Sequence, residues 1–335
     1  MKHIVDDLIK PRLPNGALYR KMRGYYGLKN RSDIPFTDDM FLKNVLKRLK
    51  IFRDMYFFSS FFVKNALRDF KDNFFSNFYE WLSDNYTSSE DDSLFDFNGV
   101  IISKPACDRD SSSFAFECVD NILPHLIQDR EVRKLCEVFY CEGPYEYGNV
   151  ILQNGDVVID AGANIGLFSG LASRKCCKGS GGIIWSFEPV PDNITLLKST
   201  AALNGGINVM PFGLTDTIGS AIMTLSKSLT GNTMVLGIDS DVTIEVRTTT
   251  LDFFVHENNL QKVDFIKADI EGAERLMLKG ARQVLRDFAP KLALCTYHLP
   301  DDPQILRELI LDANPNYVIV EKWKKMYAYV PRILD

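Results

Sequence analysis

Short apolar runs alternate with helical patterns from about residue 146 onward, and this alternation is typical of a parallel α/β sheet. The predicted strands cover 156–160, 183–187, 207–212, 263–269, 291–297, 317–321 and 326–330. The predicted helices cover 166–175, 192–203, 250–258, 272–287 and 302–313. A β-rich excursion with a Gly231-Asn232 turn signal is predicted over 217–247. No internal repeat is visible.

The last two predicted strands, YVIVEKW and KMYAYV, are joined by too few residues for a crossover helix. A parallel pair needs a connection of a dozen or more residues, so these strands must form an antiparallel hairpin. Such a hairpin differs from the dinucleotide-binding Rossmann arrangement. It matches the Rossmann-like seven-stranded α/β sheet of class I S-adenosylmethionine (SAM) methyltransferases, which is the predicted fold.

The N-terminal part of the chain follows a different pattern. Apolar positions in 41–82 recur at helical spacing and include a dense aromatic cluster, which predicts one or two amphipathic helices. We therefore divide the chain into a mostly helical, aromatic-rich extension (1–110) and a methyltransferase domain (111–335). The extension is interpreted as a cap on the main domain, with a partner, membrane-surface or substrate-binding face as the alternative.

Composition narrows the functional classes. The net charge of −5 argues against a partner that is bound by neutralising many phosphates, so no nucleic-acid partner is expected. Seven cysteines without metal-ligand spacing indicate a reduced, cytoplasmic protein. The N-terminus has acidic residues where a signal peptide needs an apolar core, and no window is apolar enough to span a membrane. The oligomeric state is not encoded in any pattern we recognise.

The stretch VVIDAGANIG ends a predicted strand in a glycine-spaced turn with the pattern D-x-G-x-N-x-G. Ligands of open α/β sheets bind at the carboxyl ends of strands, so this turn faces the predicted pocket. Asn164 stands where a dinucleotide loop has a helix-proximal glycine, and Asp160 offers an acceptor for an ammonium group, directly or through water. We assign Asp160, Gly162, Ala163 and Asn164 to SAM; another nucleotide or a purely structural turn are the alternatives.

Two further carboxylates follow predicted strands. Glu188 ends the second strand, where an acidic group is placed to accept both ribose hydroxyls, although an exposed glutamate before a helix is the simpler alternative. Asp216 follows the third strand and offers an acceptor for the adenine amino group. An ordinary turn aspartate explains Asp216 equally well.

The segment DFIKADIEGAERLMLKGA carries the densest cluster of charges. Lys267 and Asp269 share one face of a predicted central strand, where a charged pair costs desolvation and suggests a role beyond packing. Glu271 and Glu274 begin the next helix, where the helix dipole alone would favour carboxylates. We assign Glu271 to substrate binding. No metal is assigned, because no histidine–carboxylate spacing demands one; a divalent ion at Asp269, Glu271 and Glu274 is the alternative.

His298, in LCTYHLPDD, lies at the end of a predicted strand that faces the pocket. An imidazole there can bind a hydroxyl nucleophile or take its proton near neutral pH. A structural histidine is the alternative.

Together these motifs resemble the FkbM family of methyltransferases over about residues 140–330, above all in K-x-D-x-E-G-A-E and Y-H-x-x-x-D. The resemblance implies SAM-dependent O-methyl transfer to hydroxyls of sugars, glycans or polyketide-type natural products. It implies SAM contacts at Asp160, Gly162, Asn164 and Glu188, and a reaction face formed by Lys267, Asp269, Glu271 and His298. It also suggests that Tyr145 closes over the cofactor.

The expected reaction is in-line displacement, in which the acceptor oxygen attacks the methyl carbon of the sulfonium. We hypothesise His298 as the base, Asp269 as its alternate and Lys267 as an orienting or charge-balancing group. Two alternatives remain: an NAD-linked oxidoreductase, and a catalytically silent SAM-fold module that acts through its N-terminal segment as an interaction protein.

Overall fold

The computed structural model of the 335-residue chain describes residues 86–88, 94–97, 99–103, 121, 142–179, 181–226, 231–235, 237, 240 and 242–331. The helices predicted over 41–82 lie outside the described residues, as does most of the extension that contains them.

The described strands and helices follow the predicted order from residue 157 onward. The strands are β1 (Tyr86–Ser88), β2 (Leu94–Phe97), β3 (Val100–Ser103), β4 (Val157–Ala161), β5 (Ile183–Phe187), β6 (Ile207–Met210), β7 (Gly213–Leu214), β8 (Gly219–Thr224), β9 (Thr243–Thr249), β10 (Phe265–Ala268), β11 (Lys291–Cys295), β12 (Val318–Lys322) and β13 (Lys325–Tyr329). The helices are α1 (Leu167–Cys176), α2 (Pro191–Asn204), α3 (Leu251–Glu257), α4 (Glu274–Lys279), α5 (Arg282–Asp287) and α6 (Asp302–Ala313).

Seven strands form the central sheet in the order β12-β13-β11-β10-β4-β5-β6. Neighbours from β11 to β6 pair in parallel, whereas β13 is antiparallel to both β11 and β12. The terminal hairpin predicted from the short connection is therefore confirmed. This mixed seven-stranded sheet is that of the class I methyltransferases.

Helices cover both faces of this sheet, as the near-continuous apolar strands require. On one face, Phe168 and Ala172 of α1 pack with Val158, Ile184 and Phe265. The larger cluster on the other face joins the sheet to α3, α4, α5 and α6. With both faces covered, ligands have access to the ends of the strands.

The helix predicted over 272–287 is two helices, α4 and α5, separated at Gly280. A side chain at Gly280 would lie 2.2 Å from the carbonyl oxygen of Thr215, and the Gly280 carbonyl accepts a hydrogen bond from the Asp252 amide. The first helix also begins late, because Glu271 and Gly272 have positive φ angles of 52° and 96°. These tertiary contacts carry no periodic signal in the sequence.

The described part of the N-terminal extension is a small antiparallel sheet, β1-β2-β3, which the sequence did not predict. Ile102 of β3 is fully buried. Asn204 at the end of α2 accepts a hydrogen bond from the Ile101 amide and donates one to the Ile101 carbonyl. The extension is thus not helical throughout, and β3 packs on the methyltransferase domain.

The β-rich excursion forms a third sheet in the order β7-β9-β8. Gly231 and Asn232 follow β8, and Thr233 pairs with Thr224 of that strand. Among the described residues, no helix has the length and apolar character needed to cross a membrane.

Candidate functional site

A cavity of about 460 Å³ opens at the carboxyl ends of β4, β5 and β10. Its volume is in the range of ligand pockets. Apolar and charged side chains from loops after several strands line it. The lining residues are Glu142, Gly162, Ala163, Asn164, Phe168, Phe187, Glu188, Pro189, Val190, Asn193, Phe212, Gly213, Leu214, Met223, Gly231, Asn232, Met234, Lys267, Asp269, Ile270, Glu271, Tyr297 and Lys324.

The glycine-spaced loop after β4 forms one wall of the cavity. The amides of Gly162 and Ala163 both donate to the carbonyl of Phe187, at 3.0 and 2.9 Å. Gly162 has a φ of 75°, and a Cβ there would lie 2.0 Å from the carbonyl oxygen of Asp269. Only glycine therefore permits the close approach between this loop and the end of β10.

Glu188 fastens this loop to the start of α2. Its Oε2 accepts the amide hydrogen of Asn164 at 2.9 Å, and its Oε1 accepts that of Val190 at 3.0 Å. The Nδ2 group of Asn193 lies 3.3 Å from the same Oε1. Burial raises the pKa of Glu188, although these donors offset part of the effect. The carboxylate still lines the cavity, so it can accept hydrogen bonds from a ligand.

Asp160 and Lys267 form a buried ion pair beneath the glycine-spaced loop. The Lys267 ammonium lies 3.0 Å from Asp160 Oδ1 and donates to the carbonyls of Ala161 and Gly162 at 3.2 and 2.7 Å. Asp160 also accepts a hydrogen bond from Ser169 at 2.5 Å. Asp160 is fully buried and holds the loop from below, whereas Lys267 reaches the cavity wall.

Asp269 lines the cavity directly after β10. Tyr145 donates a hydrogen bond to Asp269 Oδ2 at 2.7 Å. Burial acts to raise the pKa of the carboxyl, but Lys267, His298 and Lys325 outweigh it and hold the pKa below its usual value. Asp269 is therefore ionised at neutral pH.

His298 lies behind Asp269 and Glu271, with a side chain only 2% exposed. Its Nδ1 is 3.0 Å from Glu274 Oε1, and its Nε2 is 3.3 Å from Glu271 Oε2 and 3.5 Å from Asp269 Oδ1. Burial acts to lower the pKa of His298, but Glu274 and the other two carboxylates raise it to about 9. Burial and the charge of Asp269 raise the pKa of Glu271 to about 7.

The predicted residues occupy three kinds of position. Seven line the cavity: Gly162, Ala163, Asn164, Glu188, Lys267, Asp269 and Glu271. Three lie directly behind these and contact them: Asp160, Tyr145 and His298. Asp216 is exposed and is not among the lining residues; from this segment only Phe212, Gly213 and Leu214 reach the cavity.

Sequence reasoning missed several residues of the site. Asn193 contacts Glu188, and Lys325 lies buried 4.4 Å from the ring of Tyr145. Tyr297 and Lys324 line the cavity near Asp269. Only Lys325 had a usable signal, since it is a lysine within the apolar strand β13; the others come together only through folding.

The fold and the site define a class I methyltransferase. Residues 160–321 match the family model described as the methyltransferase FkbM domain, so this part of the chain is a methyltransferase domain of the FkbM family. The resemblance found in the sequence is confirmed. The cofactor prediction, SAM, is confirmed at the level of this family.

Individual relatives are distant. The chain is 26% identical to methyltransferase sdnD of Sordaria araneosa over 48% of this chain and 73% of that protein. It is 25% identical to the hexuronic acid methyltransferase AglP of Haloferax volcanii over 48% of this chain and 64% of AglP. A solved FkbM methyltransferase from Methylobacillus flagellatus has 23% identity and a TM-score of 0.43, with 62% of this chain and 57% of that chain covered. The chain thus spans less than two thirds of AglP and of the solved protein.

Proposed function

We propose that this protein transfers the methyl group of SAM to a hydroxyl of a sugar, glycan or related natural product. One observation carries the proposal: a single cavity joins the loop fastened by Glu188 to the carboxylates Asp269 and Glu271. The part of the cavity beside Glu188, here called the cofactor end, suits SAM. The part beside Asp269 and Glu271, here called the acceptor end, suits a hydroxyl group.

The residues at the cofactor end fit SAM. Glu188 offers carboxylate oxygens to the ribose hydroxyls, a role that a buried, loop-anchored acid performs in related open α/β sheets. Phe212 and Leu214 provide an apolar surface for the adenine ring. Asn164 belongs to the glycine-spaced loop, has a φ of 51° and lines the cavity. Its amide side chain can donate and accept hydrogen bonds, as the amino and carboxylate groups of SAM require. Asp160 supports this loop through Lys267 and does not line the cavity.

At the acceptor end, Asp269 and Glu271 are placed to receive a hydroxyl hydrogen bond. The acceptor oxygen forms a bond to the methyl carbon as the carbon–sulfur bond breaks, and that electron pair stays on sulfur to give S-adenosylhomocysteine (SAH). The hydroxyl proton leaves to a carboxylate oxygen at this end. Holding oxygen, carbon and sulfur in line supplies most of the acceleration, since the sulfonium is already activated.

The structure supports a different role for His298 from the base that we hypothesised. Its ring is buried behind Asp269 and Glu271 and does not line the cavity. We assign it a positioning role, in which it holds these two carboxylates at the acceptor end. We assign Lys267 a charge-balancing role, supported by its ion pair with Asp160.

The acceptor class draws support from the relatives. AglP is described as a hexuronic acid methyltransferase, which favours a sugar hydroxyl here. The oxidoreductase alternative loses its support, because the sheet ends in an antiparallel hairpin and the family match is to methyltransferases.

The test is methyl transfer from SAM labelled with a trideuteromethyl group. Purified protein is incubated with small molecules and glycans extracted from cells that lack the gene, and products are read by mass spectrometry and NMR. We expect a labelled methyl ether with wild-type protein and none with Glu188→Gln. Label on nitrogen, sulfur or carbon would contradict O-methylation. No transfer, together with SAH binding and a stable protein partner, would favour the silent interaction module.

A further inference from the structure

We propose that Asp269, Glu271 and His298 bind one divalent cation at the acceptor end of the cavity. Their ligand atoms lie within 4.8 Å of one another. Two carboxylates and one imidazole, whose Nε2 proton is released to solvent when the ion binds, form a donor set suited to Mn²⁺ and, through its oxygens, to Mg²⁺. Neither the predicted chemistry nor the family match assigns a cation to these residues.

The distances fit a shared ion. His298 Nε2 lies 3.3 Å from Glu271 Oε2 and 3.5 Å from Asp269 Oδ1. Two ligands of a small divalent ion, each ~2.1 Å from it at a right angle, are separated by roughly 3 Å. Small side-chain shifts would therefore bring these atoms into one coordination sphere.

Buried polar atoms at the same point have no hydrogen-bond partner among the described residues. They are Asp269 Oδ1 and His298 Nε2, whose contacts with each other and with Glu271 lack hydrogen-bond geometry. The His298 side chain is 98% buried, and its Nε2 is directed between Asp269 and Glu271. Buried polar atoms nearly always have hydrogen-bond partners in folded proteins. A cation bound between the three side chains would give Asp269 Oδ1 and His298 Nε2 the partner that they lack.

The surrounding residues hold the ligands as metal sites require. Glu274 lies on the Nδ1 side of His298, and a carboxylate there fixes the ring so that Nε2 faces the metal. Tyr145 occupies Asp269 Oδ2 and leaves Oδ1 for the ion. Glu271 has a positive φ of 52°, a conformation that costs energy, and its Oε2 lies beside His298 Nε2.

A second group, Glu274, His298 and Asp302, has similar spacing but does not carry a site. Glu274 already accepts the amide hydrogens of Ile270 and Gly272. Asp302 already binds Arg275 and the Leu299 amide. The carboxylates of Glu274 and Asp302 are therefore occupied by structural contacts. Of the two groups, the one with Asp269 and Glu271 borders the cavity and has carboxylate oxygens available for an ion.

The role of the cation in catalysis rests on the proposed function. Asp269 and Glu271 line the cavity, so the open coordination positions face the acceptor. A coordinated hydroxyl would lose its proton more readily, to the Glu271 carboxylate oxygen that does not bind the ion, and the ion would fix the hydroxyl oxygen for attack on the methyl carbon. Acceptors with two neighbouring hydroxyls, as sugars have, would bind through both oxygens.

The test is a titration of the full-length, chelator-treated protein with Mn²⁺ alone, with free Mn²⁺ read by electron paramagnetic resonance. We expect one saturable site per chain, displaced by excess Mg²⁺, and at least a tenfold loss of affinity in Glu271→Gln and in His298→Gln. The matched control Glu257→Gln, an exposed carboxylate on α3, should bind like wild type. Calorimetry with SAH on each variant reports whether its cofactor end is intact.

Two results would overturn the cation site. One is the absence of saturable Mn²⁺ binding by wild-type protein; the other is Mn²⁺ affinity in both Glu271→Gln and His298→Gln that equals the wild-type affinity. If either variant fails to fold, the other decides. The two proposals fail separately. Wild-type protein that binds SAH but no Mn²⁺ contradicts only the cation, whereas Mn²⁺ binding without SAH binding contradicts the proposed function.

Discussion

At the scale of single residues, the buried pair Asp160–Lys267 shows why charges follow these strands. Both side chains are at most 5% exposed, and the pair is completed by Ser169 and two loop carbonyls. An ion pair so deeply buried is not expected to add much stability over apolar residues, but loss of one partner leaves an uncompensated charge. The pair therefore specifies the loop geometry.

Removing either charge should be costly. We expect Asp160→Asn to lower the free energy of unfolding by about 3–5 kcal/mol, because the Lys267 ammonium is left buried and unpaired. The double variant Asp160→Asn with Lys267→Met should lose less than the two single changes combined. Denaturant unfolding measures both. A matched control, Asp312→Asn in the exposed pair with Arg282, should leave the unfolding midpoint unchanged. Strict additivity of the two buried changes would refute the coupling.

At the scale of elements, the loop from β4 to α1 depends on backbone as much as on side chains. Gly162 combines a left-handed φ with the contact to the end of β10. This contact fixes the loop after β4 against the end of β10.

A comparison of Gly162→Ala with Gly179→Ala separates the cost of the left-handed φ from the cost of the contact with β10. Both glycines have nearly the same φ, 75° and 76°, but a Cβ at Gly179 meets open space. The control should cost about 1–2 kcal/mol for the left-handed conformation alone. Gly162→Ala should cost about 1–3 kcal/mol more, because the Cβ clashes with the Asp269 carbonyl. Equal unfolding free energies for the two variants would mean that the close approach is absent.

The elements also show what the sequence could reveal. Apolar runs and turn residues were enough to predict the strand 183–187 and the helix 302–313 with the observed bounds. The break at Gly280 and the sheet β1-β2-β3 were not predictable, since both depend on distant contacts. In the site, the positions of Glu188 and Asp269 directly after strands could be predicted from the sequence. The burial of His298 behind two carboxylates could not be predicted from it.

At the scale of the whole molecule, β3 of the small N-terminal sheet contacts α2, which lies against the central sheet. Asn204 bridges the amide and carbonyl of Ile101, and Thr200 accepts a hydrogen bond from the Ser103 amide. Fully buried Ile102 lies between these contacts. The strand thus packs against α2.

Asn204→Ala should release this strand. Loss of the bridge leaves partly buried backbone groups of Ile101 unpaired, at a cost of about 1 kcal/mol. Hydrogen exchange at residues 100–103 should accelerate, while SAH affinity stays unchanged. The control Asn208→Ala, at an exposed position of β6, should alter neither. Unchanged exchange at 100–103 in the Asn204 variant would show that the bridge does not hold β3.

The central claim is that the cavity after β4 and β5 binds SAM through Glu188, and calorimetric titration with SAH tests it most directly. Wild-type protein should bind one SAH per chain. Glu188→Gln should bind it about 10–100-fold more weakly, since charge-assisted hydrogen bonds to the ribose are lost, and the exposed control Glu257→Gln should match wild type. Absence of SAH binding, or equal binding by Glu188→Gln, would contradict the account.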